Sequence, residues 1–195
     1  MSFTADIKNE LCEGIIPQSL VDTFCYGLLY PLKKEHPYVT ADSRQVEQCF
    51  SELFSKQVEC EQKSRKESIL YKITLDTDKL NEKYGLYFSG INRSFVSGND
   101  IDTGVFLRGV FISCGSVSVQ KAGYHLELSI RDAEKCTQLY NLIHEQGMKI
   151  NRSVRRGVPY LYSKDSENIT DFLAFIGAMQ GSMEIMNIKI YLLLV

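Results

Sequence analysis

The sequence contains no run of about 20 apolar residues, the length that a helix needs to cross a bilayer. Its N-terminus also lacks the succession of basic, apolar and small residues that makes a secretory signal peptide. We therefore expect no membrane partner and a cytoplasmic location. Only 4 prolines occur in 195 residues, and 44% of the residues are hydrophobic. This composition is typical of an ordered globular protein and excludes a disordered chain.

Motifs for metal binding are missing as well. The six cysteines include no CxxC pair and no Cys/His pair at zinc spacing. His36 and His144 have no partners at metal-ligand spacing, and His125 fits a strand surface. The sequence therefore predicts no metal ion, no cofactor and no small-molecule substrate. Most cysteines stand at apolar positions of a periodic pattern, where a buried thiol is expected.

An excess of basic charge is also absent. The chain has 22 lysines and arginines against 24 aspartates and glutamates, which gives a net charge of −2. Domains that hold nucleic acid by bulk electrostatics are usually basic overall. Any contact with DNA must therefore be local or be supplied by another part of the protein.

What the sequence does contain is a repeat. Gly109 follows Gly27 by 82 residues, and the segments around the two glycines share an apolar pattern. Further along, Tyr160 follows Tyr71 by 89 residues, and its neighbours match in the same way. This period is too long for a solenoid unit and fits a duplicated small domain, with one loop shortened in the first copy. We therefore expect one chain folded as two related halves.

Apolar periodicity predicts an α+β fold with the same order in each half: helix, hairpin, helix, hairpin, helix. In the first half, the first hairpin is reduced, because residues 33–37 replace a full strand pair. The predicted elements of the second half are a helix capped by Asp102 or Thr103 and ended by Gly115, a hairpin about residues 121–123, a helix from Asp132, a hairpin about residues 156–157 and a helix from Ser166 or Asn168.

The boundaries follow from the same pattern. The first helix, capped by Ser2 or Thr4, precedes the repeat and belongs to neither copy. Glycine, serine and asparagine between the copies are typical of a linker. The predicted segments are an N-terminal helix in residues 1–20, a first repeat in 21–88, a linker in 89–100, a second repeat in 101–182 and the start of a connection in 183–195.

Two glycine-bearing helices, each followed by two hairpins, resemble the single-chain LAGLIDADG homing endonucleases. Leu107, Gly109 and Gly115 match the family motif at its first, third and last places. The resemblance implies a duplicated αββαββα fold, a monomer with pseudo-twofold symmetry. Helices that cross at the pseudo-twofold approach closely only where side chains are absent. We therefore expect inter-repeat helix packing at Gly27, Gly109 and Gly115.

The nuclease resemblance fails at the metal site. In that family an acidic residue near the end of each motif binds the divalent ion that activates water. The matching places here hold Leu32 and Cys114, and neither can bind magnesium. Asp100 and Asp102 stand at the other end of the helix, about 18 Å away at 1.5 Å per residue. We therefore expect no catalytic residues and no enzymatic activity.

A second resemblance extends along the whole chain. Residues 1–11, 106–117, 123–128 and 169–178 are similar to the N-terminal part of the WhiA family of bacterial sporulation and cell-division regulators. That family resembles a LAGLIDADG scaffold without its metal site, joined to a C-terminal helix-turn-helix. It implies a non-catalytic domain of a DNA-binding transcriptional regulator. Double-stranded DNA would be a weak partner of this domain, and a transcription protein stays open as a second partner. The helix-turn-helix has no counterpart before residue 195, so we expect a fragment or a shortened protein.

Strand alternation gives a candidate DNA surface in the second repeat. If Ile150 and Val154 face inward, the outward side chains of that strand are polar or basic. Lysine and arginine there would contact phosphates, and amides would reach base edges in the major groove. A merely solvated face is the alternative, and the matching face of the first repeat, with Glu59, Glu61 and Lys63, is mixed in sign. The predicted DNA-binding residues are Lys121, Lys149, Asn151, Arg155 and Arg156.

Three function classes therefore remain. The family resemblance favours a DNA-binding transcriptional regulator. The low net charge favours a protein-interaction scaffold without DNA binding. An active nuclease is opposed by Leu32 and Cys114.

Overall fold

The computed structural model describes residues 2–65, 68–120 and 123–194. Helices and two antiparallel sheets surround one continuous apolar core. The helices are α1 (Phe3–Glu13), α2 (Val21–Leu29), α3 (Arg44–Phe54), α4 (Thr77–Tyr84), α5 (Asp100–Cys114), α6 (Ala133–Glu145), α7 (Ser166–Phe175) and α8 (Met179–Leu194). The strands are β1 (Tyr38–Ala41), β2 (Val58–Arg65), β3 (Ser68–Leu75), β4 (Gly115–Gln120), β5 (Gly123–Ser129), β6 (Asn151–Arg155) and β7 (Val158–Ser163).

Helix α1 precedes the repeats and contacts both of them. Ser2 caps it, because the Ser2 hydroxyl accepts a hydrogen bond from the Ala5 amide (3.2 Å). Thr4, the other candidate cap, bonds β4 instead: its hydroxyl donates to the Val117 carbonyl oxygen (2.8 Å) and accepts from the Val117 amide (2.9 Å). The helix also packs against α3 of the first half and α5 of the second.

The central helices α2 and α5 pack against each other. Helix α5 begins earlier than predicted, because Asn99 caps it by accepting from the Asp102 amide (2.8 Å). Both helices are apolar around most of their circumference, and such helices are stable only when they are buried. Tyr26 of α2 and Phe106 of α5 stack across the contact with 5.5 Å between ring centroids.

The first sheet has the strand order β1-β3-β2. Helix α3 packs against it through Val46, Phe50 and Phe54, which share one side of the helix and are buried. The reduced hairpin is a tight turn closed by one bridge between Lys33 and His36. The first half therefore has three strands where the second has four, and the αββαββα order is complete only in the second.

The second sheet has the strand order β4-β5-β7-β6, with α6 and α7 against one face. Asp132 caps α6 as predicted, since its carboxylate accepts from the amides of the first turn. Helix α7 begins at Ser166, one of the two starts that the sequence predicts, and Asp165 caps it by accepting from the amides of Glu167 and Asn168.

The segment predicted as a linker packs closely on α2. Ile91 and Val96 are buried in the core. The Thr23 hydroxyl donates to the Phe95 carbonyl oxygen (2.7 Å), and the Tyr26 hydroxyl accepts from the Asn92 amide (3.0 Å). The connection is therefore part of the packed structure and is held against the first half through α2.

Helix α8 runs across residue 182, where the second repeat is predicted to end. Glu10 of α1 caps it, because its carboxylate accepts from the amides of Gln180 (2.7 Å) and Gly181 (3.1 Å). Ile185 turns into the core. In the part of the chain that the structure describes, no helix combines the length and apolar character needed to traverse a bilayer.

Candidate DNA interface and the centre between the repeats

The two halves meet at one glycine on each central helix. A Cβ atom on Gly27 would lie 3.2 Å from the Cα of Gly109. A Cβ atom on Gly109 would lie 2.6 Å from both the Leu28 amide nitrogen and the Phe24 carbonyl oxygen. Backbone atoms cannot move aside as the end of a side chain can, so both positions need glycine. The Ser113 hydroxyl adds a hydrogen bond to the Leu28 carbonyl oxygen across the same contact (2.5 Å).

Gly115, the third glycine predicted at this contact, has a different role. The three atoms nearest to a Cβ atom at this position all belong to Phe111 of the preceding helix, α5. The Gly115 amide donates to the Phe111 carbonyl oxygen, which ends α5 where β4 begins. Gly115 therefore serves the turn from α5 into β4 rather than the inter-repeat contact.

The carboxyl end of α2 is held by a buried ammonium group. Lys135 of α6 donates from Nζ to the carbonyl oxygens of Tyr30 (3.0 Å) and Leu32 (3.2 Å). The Tyr30 hydroxyl donates in return to the Lys135 carbonyl oxygen (2.9 Å). A helix ends in unpaired carbonyl oxygens and partial negative charge, which favour a cation. Burial nevertheless lowers the pKa of Lys135 to about 8.

The carboxyl end of α5 also faces a lysine. Lys8 of α1 is buried and lies close enough to Cys114 to act on the charge of that thiol. Removal from water is the larger effect, and it raises the pKa of Cys114 to about 12. The thiol is therefore protonated at neutral pH. Sequence reasoning missed both lysines, because each is far in sequence from the helix end that it faces.

These residues do not fit a divalent metal ion. Leu32 has no donor atom, and Cys114 keeps its proton. Lys8 and Lys135 add positive charge at the two helix ends, whereas magnesium and manganese prefer carboxylate and other oxygen ligands. Within residues 2–65, 68–120 and 123–194, no three His, Cys, Asp or Glu side chains are grouped as metal ligands.

The second sheet has an outer face, turned away from α6 and α7. Paired residues of neighbouring strands share a face, and the outward set of β6 is the one that alternation predicts. Val154, expected to face inward, is 65% exposed, because it stands on the edge strand of the sheet. The register places Asn151, Ser153 and Arg155 of β6 on the outer face, opposite Tyr162, Tyr160 and Val158 of β7.

A buried carboxylate stands in the middle of this outer face. Glu127 of β5 is 7% exposed and forms an ion pair with Arg155. It also accepts from the Ser129 hydroxyl (2.8 Å) and lies 3.3 Å from Nε2 of His125. Burial alone would raise the pKa of Glu127, but the bonds from Ser129, Arg155 and His125 outweigh it and hold the pKa below its usual value. Arg155 therefore has less charge to offer a phosphate than the sequence suggests.

The other predicted DNA-binding residues are spread along the sheet edge. Lys149 is exposed in the loop before β6, and Arg156 is exposed in the turn after it. They are about 17 Å or more apart, since β6 rises about 3.4 Å per residue. Asn151 is exposed between them. Lys121 lies outside the residues that the structure describes.

The outer face of the first sheet carries charges of both signs, as the alternation of side chains along β2 predicts. Lys72 lies over the Tyr38 ring with 5.1 Å between its Nζ and the ring centroid. The register places Glu59, Glu61 and Lys63 of β2 opposite Thr74, Lys72 and Leu70 of β3.

A cavity of about 180 Å³ opens where the two helix ends meet the two outer faces. His36 and Tyr38 line it from the first half, and Ser129 and Arg131 line it from the second. The Arg131 guanidinium lies over the Tyr38 ring at 5.9 Å, so the halves touch across the cavity. The outer faces thus form one surface with an exposed arginine at its middle. Sequence reasoning missed this arginine, because its position depends on how the two halves pair.

Two glycine-packed central helices, each leading into a sheet with a polar outer face, define the LAGLIDADG class of fold. The crystal structure of I-DmoI in complex with DNA and Mn shows this fold, with a TM-score of 0.50 at 12% identity over 82% of this chain and 97% of that one. The full-length DUF199/WhiA structure from Thermatoga maritima is more similar, with a TM-score of 0.72 at 20% identity. That match covers 98% of this chain and 67% of the solved chain.

Comparison with known sequences shows which proteins with this fold the chain resembles. Residues 103–192 match the family model described as the WhiA LAGLIDADG-like domain. The probable cell division protein WhiA of Carboxydothermus hydrogenoformans is 30% identical over 133 residues, which are 65% of this chain and 42% of that protein. The protein of the same name from Clostridium perfringens is 26% identical over 218 residues, 97% of this chain and 69% of its own length. Residues 103–192 therefore resemble the WhiA LAGLIDADG-like domain, and the chain as a whole is similar to WhiA proteins in sequence and in fold.

Proposed function

We propose that this chain is a non-catalytic, DNA-binding part of a cytoplasmic transcriptional regulator that acts in sporulation or cell division. The process is proposed from the relatives, which are named probable cell division proteins. The chain spans 42% of the length of the first of these relatives. A role of this chain in the process for which the whole relative is named is therefore a proposal.

The proposal that the chain is not a nuclease is supported by the residues at the ends of α2 and α5. Leu32 and Cys114 stand where the resembled nucleases have metal-binding carboxylates. Lys135 and Lys8 supply cations at the same two helix ends. A site of this charge repels a divalent ion instead of holding it.

DNA binding is supported by the surface rather than by bulk charge. I-DmoI, which shares the fold, was solved with DNA. In this chain the corresponding outer faces join through Arg131 and Tyr38. With Arg155 paired to Glu127, few cations are left for phosphates. We therefore expect weak binding with little sequence preference, with a Kd of about 10⁻⁴ to 10⁻⁶ M.

A cleavage assay tests the first part of the proposal. Supercoiled plasmid incubated with the chain and either magnesium or manganese should stay intact. The double variant Leu32→Asp, Cys114→Asp should bind manganese only weakly in calorimetry, because Lys8 and Lys135 remain beside the new carboxylates. Metal-dependent nicking by the parent chain, absent from a mock purification, would overturn the non-catalytic reading.

Fluorescence anisotropy with a labelled duplex tests the second part. We expect the surface to neutralise about three or four phosphates, each of which contributes roughly 0.9 to the salt dependence. The logarithm of the affinity should therefore fall with the logarithm of the salt concentration at a slope of about −3. The double variant Lys149→Glu, Arg156→Glu should weaken binding at least tenfold without a change in melting temperature, since both side chains are exposed. The control Arg44→Glu, Lys56→Glu makes the same charge change at the start of α3 and in the turn that follows it, and it should have a much smaller effect.

The second candidate function is that of a protein-interaction scaffold. It is favoured by a row of exposed apolar side chains on one face of α8. Met179, Met183, Met186 and Ile190 of α8 are each between 44% and 55% exposed and recur at helical spacing. Exposed apolar rows of this kind are common where proteins associate. If no salt-dependent DNA binding is found even in dilute buffer, the scaffold becomes the better reading.

A further inference from the structure

A pair of thiols lies where α1 packs against α3, outside the surface described above. Cys12 is in the last turn of α1, and Cys49 is in the middle of α3. Both side chains are half-buried against the apolar core. Helices α1 and α3 are in contact, and the Cys12 and Cys49 side chains are close enough for their thiols to interact through a hydrogen bond. The two thiols therefore lie near each other where the helix that precedes the repeats contacts a helix of the first repeat.

A buried guanidinium group stands next to Cys12. Arg108 of α5 is 8% exposed. Its Nε donates to the Leu11 carbonyl oxygen (2.9 Å), and its Nη2 donates to the Gly14 carbonyl oxygen (2.7 Å). These two residues flank Cys12 in the chain, so the cation is fixed beside the thiol. Lys8, one turn earlier on α1, adds a second positive charge.

These surroundings give the two thiols different pKa values. The hydrogen bond from Cys49 lowers the pKa of Cys12, with further help from Arg108 and Lys8, against burial and the charge of Glu13. The same hydrogen bond, together with burial, raises the pKa of Cys49. When the pair loses a proton, the negative charge therefore falls on Cys12, and Cys49 keeps its proton. A thiolate beside fixed cations is the nucleophilic form of cysteine.

The remaining cysteines lack this arrangement. Burial raises the pKa of Cys25 to about 11 and that of Cys114 to about 12, and it also raises the pKa of Cys136. Cys60 is exposed, but its pKa is raised as well, and its sulfur contacts the Ser51 hydroxyl at 3.7 Å. If exposure decided which cysteine is oxidised first, it would be Cys60. If acidity decided, it would be Cys12, and an experiment can distinguish the two.

We propose that Cys12 and Cys49 are a peroxide-sensitive dithiol, in which Cys12 reacts first and Cys49 resolves the product. The Cys12 thiolate attacks one oxygen of hydrogen peroxide and breaks the O–O bond. This step gives Cys12 sulfenic acid and a hydroxide that takes up a proton to become water. The Cys49 sulfur then attacks the Cys12 sulfur, and its proton leaves with the hydroxyl group as a second water. Two thiols lose two electrons in total, and one peroxide is reduced to two waters.

The disulfide would fix α1 to the first repeat. Helix α1 also bonds β4 through Thr4 and caps α8 through Glu10. One covalent bond therefore restrains the contacts that α1 makes with both halves and with α8. A disulfide that closes a loop of this size stabilises chiefly by restricting the unfolded chain. We expect the oxidised protein to melt roughly 5–10 °C higher than the reduced protein.

Peptide mapping of the full chain tests the proposal. The reduced protein is treated with hydrogen peroxide under native conditions, its free thiols are blocked, and it is digested. We expect a linked peptide pair that contains Cys12 and Cys49, with the loss of two hydrogen atoms. The variant Cys49→Ser should instead accumulate sulfenic acid at Cys12, detected with dimedone. In the variant Cys12→Ser, oxidation of Cys49 should be at least tenfold slower.

Two comparisons decide the outcome. Cys60→Ser is the matched control and should leave the linked pair unchanged. The same treatment in urea should reduce the yield of the Cys12–Cys49 link at least tenfold, because the native contact is lost. The proposal is overturned if Cys60 is oxidised as fast as Cys12 in the native chain, if no linked pair forms, or if the link forms equally well in urea.

Discussion

Gly27 and Gly109 occupy the same point of contact from opposite helices. A side chain on Gly27 would begin 3.2 Å from the Gly109 Cα, and one on Gly109 would begin 2.6 Å from the Leu28 nitrogen. The obstructing atoms are backbone atoms at buried positions of α2 and α5. The relative position of the two halves is therefore set by the absence of two side chains.

Replacement of Gly109 by Leu should force α2 and α5 apart. We expect a loss of about 3 kcal/mol or more in the free energy of unfolding, because overpacking and lost contacts add at a tight crossing. Urea unfolding followed by circular dichroism measures this loss. Gly181→Ala is the control: a Cβ there meets the flexible Ile7 side chain at 2.7 Å, so the change should cost far less. Equal midpoints for the two variants would show that the helices do not depend on the glycine contact.

Arg108→Leu should detach the end of α1 from α5. The Arg108 side chain is bonded to the carbonyl oxygens of Leu11 and Gly14, and its loss leaves buried acceptors unpaired. We expect a loss of about 2–4 kcal/mol in the free energy of unfolding. Arg93→Leu removes an exposed arginine whose ion pair with Glu145 spans 3.9 Å, and it should cost at most about 0.5 kcal/mol. A comparable cost for both variants would contradict a special role of Arg108.

Stability should depend on pH through Lys135. Its folded pKa of about 8 lies below the ordinary value of 10.5, so the unfolded chain binds more protons between these values. The destabilising effect of the buried charge is complete below the folded pKa and is relieved as pH rises toward 10.5. Relative to Lys135→Met, the parent should therefore gain about 2 kcal/mol between pH 7.5 and 9.5.

The comparison with Lys135→Met is needed because buried tyrosines and cysteines shift in the opposite sense. Burial raises the pKa of Tyr30 and Cys25, which lowers stability as pH rises through the values of the unfolded chain. These contributions are common to parent and variant and cancel in the difference. Unfolding midpoints measured in reducing buffer, with a difference that stays constant from pH 7.5 to 9.5, would show that Lys135 is not buried as a cation.

Glu127→Gln should strengthen DNA binding if the outer face of the second sheet is the binding surface. The change removes a buried negative charge and releases Arg155 from its ion pair. We expect a severalfold gain in affinity in low salt and a steeper salt slope by about 0.9, the value for one further phosphate. Glu59→Gln, on the outer face of the first sheet, removes the same charge without releasing an arginine and is the control. Equal gains in the two variants would indicate only a general effect of net charge.

Local sequence patterns were sufficient to predict most of the elements, α8 excepted, and the two glycines of the central contact. Gly27 and Gly109 stand at matching places of a repeat, and alternation gave the outward residues of β6. Where a prediction failed, the reason lies in neighbours that are distant in sequence. Val154 alternates as an inward residue but stands on an edge strand. Gly115 fits the last place of the helix motif but contacts Phe111 of the preceding helix α5, not the other repeat.

The cations of the centre could not be predicted for the same reason. Lys135 bonds the end of α2 across 105 residues of sequence. Arg108 reaches Leu11 across 97 residues. A single lysine or arginine in an apolar stretch carries no information about which helix end it will meet. Such pairings follow only from the packing of the two halves.

The cap that Glu10 provides for Gln180 and Gly181 bears on how the protein is made. During synthesis, α1 leaves the ribosome before the amides that it caps, which are added 170 residues later at roughly 5–20 residues per second. Strand β4 is made earlier, since Val117 follows its partner Thr4 by 113 residues. Helix α1 therefore completes its contacts only after both halves and the start of α8 have been made.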